Sequence, residues 1–197
     1  MSALTGPCGL LLAAGQARRF GADKRFALID GEPLLLIAAR HLRAVLPDTL
    51  VVLREGDDAL AELLTAEGIA STRCPQAALG MGHSLAHGVR QRPDADGWLI
   101  ALADMPHLAE STLTRLAETL RHDVIIAPSL NGVRGHPVGF GRDYYEELIA
   151  LSGDIGAKPL LQRHAARVTL LPVDDAGVLE DIDTPADLQV LAATRFG

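Results

Sequence analysis

Leu10–Lys24, LLLAAGQARRFGADK, begins inside an apolar run that opens at Cys8 and ends in a loop of small and basic residues. An uninterrupted run such as Cys8–Ala13 marks a strand buried on both faces, the pattern of a parallel sheet covered by helices. Thr49–Leu53, Trp98–Ala103 and Val124–Ala127 repeat it. Between these runs, Pro33–Leu46, Ala59–Glu67, Ser84–Val89 and Glu110–Leu120 have the length and composition of helices. Pro33 suits a first helical turn and Gly68 a helix stop. Strand–helix alternation implies a mainly parallel sheet with right-handed crossovers, an α/β three-layer sandwich. After Ala127 the rhythm breaks. Ser129–Gly135 reads as a turn-rich loop leading to a short strand, Pro137–Phe140, expected to run antiparallel. A strand at Val168–Pro172 and a helix after Pro185 are expected to close the chain.

At 197 residues the length suits one domain, and the chain contains no repeat, low-complexity tract or linker. Residues 1–197 are therefore expected to form a single domain that buries about 70% of its unfolded surface without staples. Eighteen Lys and Arg against 25 Asp and Glu give a net charge of −7, which argues against nucleic-acid and anionic-membrane partners. One Trp, two Tyr and four Phe are too few for base-stacking platforms. Cys8 and Cys74 lie far apart and form neither a disulfide framework nor a zinc motif. Cys8 reads as a small buried hydrophobe. Apolar stretches such as Leu10–Ala14 are far too short to span a bilayer, and no secretory signal is recognisable at the N-terminus. A cytoplasmic location is the expectation.

In parallel α/β sheets ligands bind beyond the carboxyl ends of the strands, so the loops there carry the functional reading. Gly15 and Gly21 permit close backbone approach, and Arg18, Arg19, Lys24 and Arg25 face only Asp23 in the same loop. Free backbone N–H groups beside cations suit a nucleoside triphosphate; the other reading is a solvated basic loop. The spacing is neither a Walker loop nor a dinucleotide fingerprint. In WLIALADMP, Trp98–Pro106, an apolar strand runs into Asp104, which is either a Mg²⁺ ligand facing bound phosphates or a turn aspartate. In GVLEDIDTPADL, Gly177–Leu188, Asp183 is either a second metal contact or, with Thr184 and Pro185, a helix cap. Gly80, Gly82 and Ser84 form a plausible anion- or base-binding helix entrance. His136, between Gly135 and Pro137, is a candidate positioned polar contact. His83, His87 and His136 lack metal-ligand spacing.

Taken together and in this order, these segments resemble the nucleotidyltransferases that act on molybdopterin, the pterin of the molybdenum cofactor. The resemblance runs from Leu12-Ala13-Ala14-Gly15 to Asp181-Ile182-Asp183-Thr184-Pro185 and includes Gly80-Met81, Asp104-Met105-Pro106, Gly135-His136-Pro137 and Gly153-Asp154-Ile155-Gly156-Ala157. The guanylyl branch typically has a second glycine where this chain has Ala14, which tilts the resemblance to the cytidylyltransferase branch. Ala17 departs from the family, where Gly or Ser is more frequent. The resemblance implies a Rossmann-like nucleotidyltransferase domain and transfer of CMP from CTP to the terminal phosphate of molybdopterin, with release of pyrophosphate. It implies that Lys24 and Arg19 hold the triphosphate and that Leu12, Ala13, Ala14, Gly15, Gly80 and Ser84 meet the nucleotide. Asp104 and Asp183 would hold Mg²⁺, and Gly135, His136 and the Gly153–Lys158 segment, Asp154 in particular, would face the acceptor. A molybdenum hydroxylase apoenzyme is the candidate recipient of the product. The competing expectations are an enzyme of the same fold acting on a sugar phosphate or another phosphorylated small molecule, and a non-catalytic pterin-cofactor chaperone.

Overall fold

The computed structural model describes residues 6–15, 23–182, 184 and 187. In chain order its strands and α-helices are β1 (Cys8–Leu12), β2 (Leu28–Ile29), β3 (Glu32–Pro33), α1 (Leu34–Val45), β4 (Thr49–Arg54), α2 (Asp58–Ala66), β5 (Ala70–Cys74) and α3 (Met81–Arg90). They continue with β6 (Gly97–Leu102), α4 (Glu110–Thr119), β7 (Ile125–Leu130), β8 (Val133–Arg134), β9 (Val138–Gly141), α5 (Tyr145–Ile149), α6 (Lys158–Arg163) and β10 (Val168–Pro172).

All five residues of β1 are buried, and β1 lies between β4 and β6 in the main sheet, whose order is β10-β7-β9-β6-β1-β4-β5 with β8 paired to β7. The pairings β1–β4, β1–β6, β4–β5 and β7–β10 are parallel. β9 runs antiparallel to both β6 and β7, as expected for the run before Phe140. Side chains alternate across each strand, so Leu11 packs with Leu35, Leu42, Leu60 and Leu116 on one face. Leu10 and Leu12 pack with Leu85, Leu148 and Leu160 on the other. Helices α1, α2 and α4 thus cover one face and α3, α5 and α6 the other, giving three layers.

Three features differ from the sequence expectation. β5, ASTRC, is only partly buried at the sheet edge, so it lacks the apolar run that marks the inner strands. Residues 129–135 are not a plain loop. Asn131 and Gly132, both at positive φ (51° and 81°), make the tight turn that folds β8 onto β7. Asp30-Gly31, at 52° and 85°, does the same between β2 and β3. The helix expected after Pro185 lies outside the described residues. None of the described helices is long and apolar enough to cross a membrane.

β9 ends against the turn that precedes β7. A Cβ on Gly141 would overlap the backbone carbonyls of Arg121 and His122, and neither can rotate away. We expect Gly141→Ala to cost about 1–3 kcal/mol through overpacking. Urea unfolding with an unchanged midpoint would show that this approach is not close in solution.

Candidate active site

β1 and β6 are parallel neighbours in register, Leu12 opposite Leu102, so the segments that leave them emerge side by side. Leu12, Ala13, Ala14 and Gly15 line one wall of a cleft there, with Lys24, Met81, Ser84 and Asp104 around it. Lys24 Nζ donates to Asp104 Oδ2 at 2.8 Å and to the Ile182 carbonyl at 3.0 Å. The Ile182 N–H returns to the Asp104 carbonyl at 2.9 Å. Lys24 therefore joins the loop after β1, the end of β6 and the chain immediately before Asp183. Asp183 and Arg19 lie outside the described residues.

Asp104 Oδ1 is buried and has no hydrogen-bond partner among the described residues. A buried carboxylate oxygen without a donor is costly unless something else meets it. A divalent cation fits: Asp104 lines the cleft, a carboxylate oxygen is a hard ligand, and Mg²⁺ takes one or two carboxylates while phosphate and water complete its shell. Among the described residues no three His, Cys, Asp or Glu side chains gather into a protein-only cage.

Of the four cations in the basic loop, Arg25 is corrected. It is 4% exposed and turned into the protein. Its Nη1 donates to the Ala13 carbonyl at 2.8 Å and to Asp57 Oδ2, and its Nη2 to Asp57 Oδ1 at 2.8 Å. Nε reaches Asp23 Oδ1 at 2.7 Å. Arg54 completes the group, with Nη2 on Asp23 at 2.8 Å and Nε on Asp57 at 3.2 Å. Two guanidinium groups and two carboxylates thus clamp the exit of β1 to the β4–α2 turn. The sequence reading missed this role of Arg25, Arg54 and Asp57. The only local signal is Asp57 just before α2, where a cap is the default reading, yet its side chain makes no cap bond.

A second cleft adjoins the first, and both are lined by Leu12, Met81 and Leu102. His136 and Asp154 meet in it, together with Arg134 and Lys158. Gly135 is pinned beside it: its N–H donates to the Pro128 carbonyl at 2.9 Å, and the His136 N–H donates to Val178 at 2.9 Å. The cleft walls crowd the accessible His136 imidazole and, with Arg134, push its pKa below the usual histidine value; the opposing pull of Asp104 and Asp181 is smaller. His136 is thus neutral at pH 7 and has one ring N–H to donate.

The structure places Gly80 against Gly153 and Asp154 rather than on the first cleft. Gly80 has φ 122°, and a Cβ there would overlap Asp154 Oδ1. The Gly82 N–H donates to the Gly153 carbonyl at 2.8 Å. The start of α3, which carries Ser84 to the first cleft, and the loop that carries Asp154 to the second are therefore one packed unit.

A central strand feeding a glycine-bearing turn, beside a strand ending in a metal-competent carboxylate, defines the site of an α/β nucleotidyltransferase. Residues 9–168 match the family described as MobA-like NTP transferase domain, and the chain belongs to that family. It is 30% identical over 194 residues to the purine catabolism protein PucB of Bacillus subtilis, covering 93% of this chain and 94% of that protein. It is also 30% identical to a probable molybdenum cofactor guanylyltransferase of Synechococcus elongatus, covering 92% of this chain and 96% of that one. The crystal structure of Rv0371c from Mycobacterium tuberculosis superposes with a TM-score of 0.81 at 26% identity, covering 97% and 100% of the two chains. A complex of that protein with manganese superposes with a TM-score of 0.77 at 25% identity, covering 96% and 100%.

Asp57 is 9% exposed, and removing one partner of a buried pair leaves an uncompensated charge. Asp57→Ala should cost about 3 kcal/mol in chemical unfolding. Burial alone would raise the Asp57 pKa, but the Arg25 hydrogen bonds and charge outweigh it and the value is lowered; Arg25 lowers Asp23 too. Depressed carboxylate pKa values give stability that is present above the unfolded value, about 3.9, and is lost as pH falls through the folded values. The parent's stability should therefore fall on acidification below about pH 4, and less steeply in Asp57→Ala. Equal acid slopes for the two proteins would remove the clamp as their cause.

Proposed function

We propose that the protein transfers CMP from CTP to the terminal phosphate of molybdopterin, releasing pyrophosphate, with Mg²⁺ as the cation. The observation that supports this reading is the Asp104 carboxylate in the first of two adjoining clefts, with one oxygen on Lys24 and the other buried and met by no described residue. The family supports nucleotidyl transfer with a divalent metal, and the relationship to molybdenum cofactor guanylyltransferases supports the pterin acceptor.

In the reaction the acceptor phosphate oxygen forms a bond to the α-phosphorus of CTP while the bond to pyrophosphate breaks. The cation, when bound, neutralises charge on the α-phosphoryl oxygens and the leaving group. The residues of this chain position the reactants. The turn Leu12–Gly15 holds the nucleotide, and Lys24 exchanges part of its bond with Asp104 for the triphosphate. His136 and Asp154 hold the acceptor in the second cleft. Two clefts meeting at one strand end give the alignment that in-line displacement needs. No general base is required, because a phosphate monoester is already anionic near neutral pH. The buried free thiols Cys8 and Cys74 suit a reducing compartment; burial pushes Cys8 up to about 12. The proposed setting is therefore the cytoplasm, with a molybdenum hydroxylase apoenzyme as the recipient.

GTP as donor is the second reading, favoured by the guanylyltransferase name of the Synechococcus relative. Ala14, 4% exposed, lines the nucleotide cleft, where the guanylyl branch is expected to have glycine. Its Cβ takes up space beside the base and favours a pyrimidine. The kcat/KM for CTP should exceed that for GTP by about tenfold or more, the factor for one unpaired buried polar group, and Ala14→Gly should narrow the gap. A parent enzyme preferring GTP would sink the cytidylyl assignment and leave the family reading standing.

Asp104→Asn keeps the volume and removes the charge. Pyrophosphate release should fall by about 10³-fold while the melting temperature holds. Turnover within about threefold of the parent, under 1 kcal/mol of barrier, would mean that Asp104 holds no metal.

A further inference from the structure

The second cleft is apolar over most of its lining; its polar side chains are Arg134, His136, Asp154 and Lys158. Many of the described cationic side chains are tied down; Arg115 and Arg167 are not, but neither lines this cleft. Arg25, Arg40, Arg54, Arg73, Arg92 and Arg163 all make ion pairs with carboxylates. Arg134 and Lys158 make no ion pair or side-chain hydrogen bond among the described residues, although the chain carries a net charge of −7. They come from separate segments. Arg134 sits on β8, which the Asn131-Gly132 turn folds onto β7 opposite Ser129. Lys158 opens α6.

We infer that Arg134 and Lys158 form the receptor for the acceptor's phosphate monoester, which they hold in the second cleft for attack at the Asp104 edge. This rests on the transfer reaction proposed above and adds the chemistry by which the acceptor is selected. A guanidinium matches two phosphate oxygens at once, whereas an ammonium adds a point charge. His136, two residues beyond Arg134, lines the same cleft, and Leu12 and Leu102 at the ends of β1 and β6 join that cleft to the one that holds Asp104. The neutral His136 ring can donate a further hydrogen bond to the same phosphate. Asp154 repels phosphate, but its Oδ1 lies against Gly80 at the start of α3. That places the anion with Arg134 and leaves the carboxylate for hydrogen-bond donors on the acceptor's other end.

The test measures Kd for molybdopterin and for its dephosphorylated form, without nucleotide, on the parent, Arg134→Ala, Arg134→Lys and Lys158→Ala. Mg²⁺-CTP is titrated into the same proteins. The parent should prefer the phosphorylated form. Arg134→Ala and Lys158→Ala should each weaken that form by about tenfold or more, with the dephosphorylated form and Mg²⁺-CTP moving less than about twofold. Arg134→Lys should recover part of the loss, because it restores charge without the fork; it also decides the matter if Arg134→Ala fails to fold. A parent that binds both forms alike, or single variants that keep the parent's preference, would overturn the receptor. Pyrophosphate release is scored separately. A parent that selects the phosphorylated form but releases no pyrophosphate with CTP loses the transfer reaction and keeps the receptor.

Discussion

Lys24 and Arg25 are adjacent cations that go opposite ways, and the site depends on that divergence. Arg25 is drawn inward, where a guanidinium loses several kcal/mol of hydration. Two carboxylates and the Ala13 carbonyl surround it, so the buried charge is compensated on every side. A pair of this kind adds little net stability over an apolar substitute. What it supplies is position. With Arg25 fixed under the exit of β1, the short 3₁₀ turn at Lys24–Phe26 turns Lys24 the other way, into the cleft and onto Asp104. The turn is capped by Asp23, whose carboxylate accepts from the Arg25 N–H at 3.2 Å.

The inner strands were legible because burial on both faces leaves no room for polar residues, so β1, β4, β6 and β7 read as continuous apolar runs. β5 and β8 were not. β5 lies at an edge and is only partly buried, and β8 is two exposed residues that exist only because Asn131 and Gly132 accept positive φ. Asp104 could be singled out because a strand running into a carboxylate and a proline is a local pattern. Its contact with Lys24 crosses 80 positions and follows once β1 and β6 are known to be neighbours. The pairing of Arg25 with Asp57, 32 positions apart, was hidden for a different reason. Charge counting in a loop cannot tell which of four cations faces inward.

The two clefts share Leu12, Met81 and Leu102, so the sheet end and the first residue of α3 form a wall common to both. The other link between them is backbone. Gly80 and Gly82 let residues 152–154 approach α3 to hydrogen-bonding distance, 2.8 Å from the Gly82 nitrogen to the Gly153 oxygen. The start of α3 and the loop that carries Asp154 are therefore packed as one unit. The glycines in this region serve contact between protein segments, which accounts for their spacing without assigning each to a ligand.

Three other buried or half-buried aspartates show what a structural carboxylate looks like in this protein. Asp57 receives Arg25 and Arg54 on both oxygens. Asp23 is likewise filled on both by the same two arginines. Asp175 takes the Gly177 N–H on one oxygen and the Ala109 N–H on the other, each at 3.0 Å. Asp104 alone among these four has a buried oxygen that no described residue meets. A buried carboxylate oxygen that no described residue meets carries a desolvation cost of about 1–3 kcal/mol, which a cation bound beside it would relieve. A ligand that binds only the folded state returns that stability through linkage. A divalent cation would suit such a hard, anionic oxygen at the edge of the cleft.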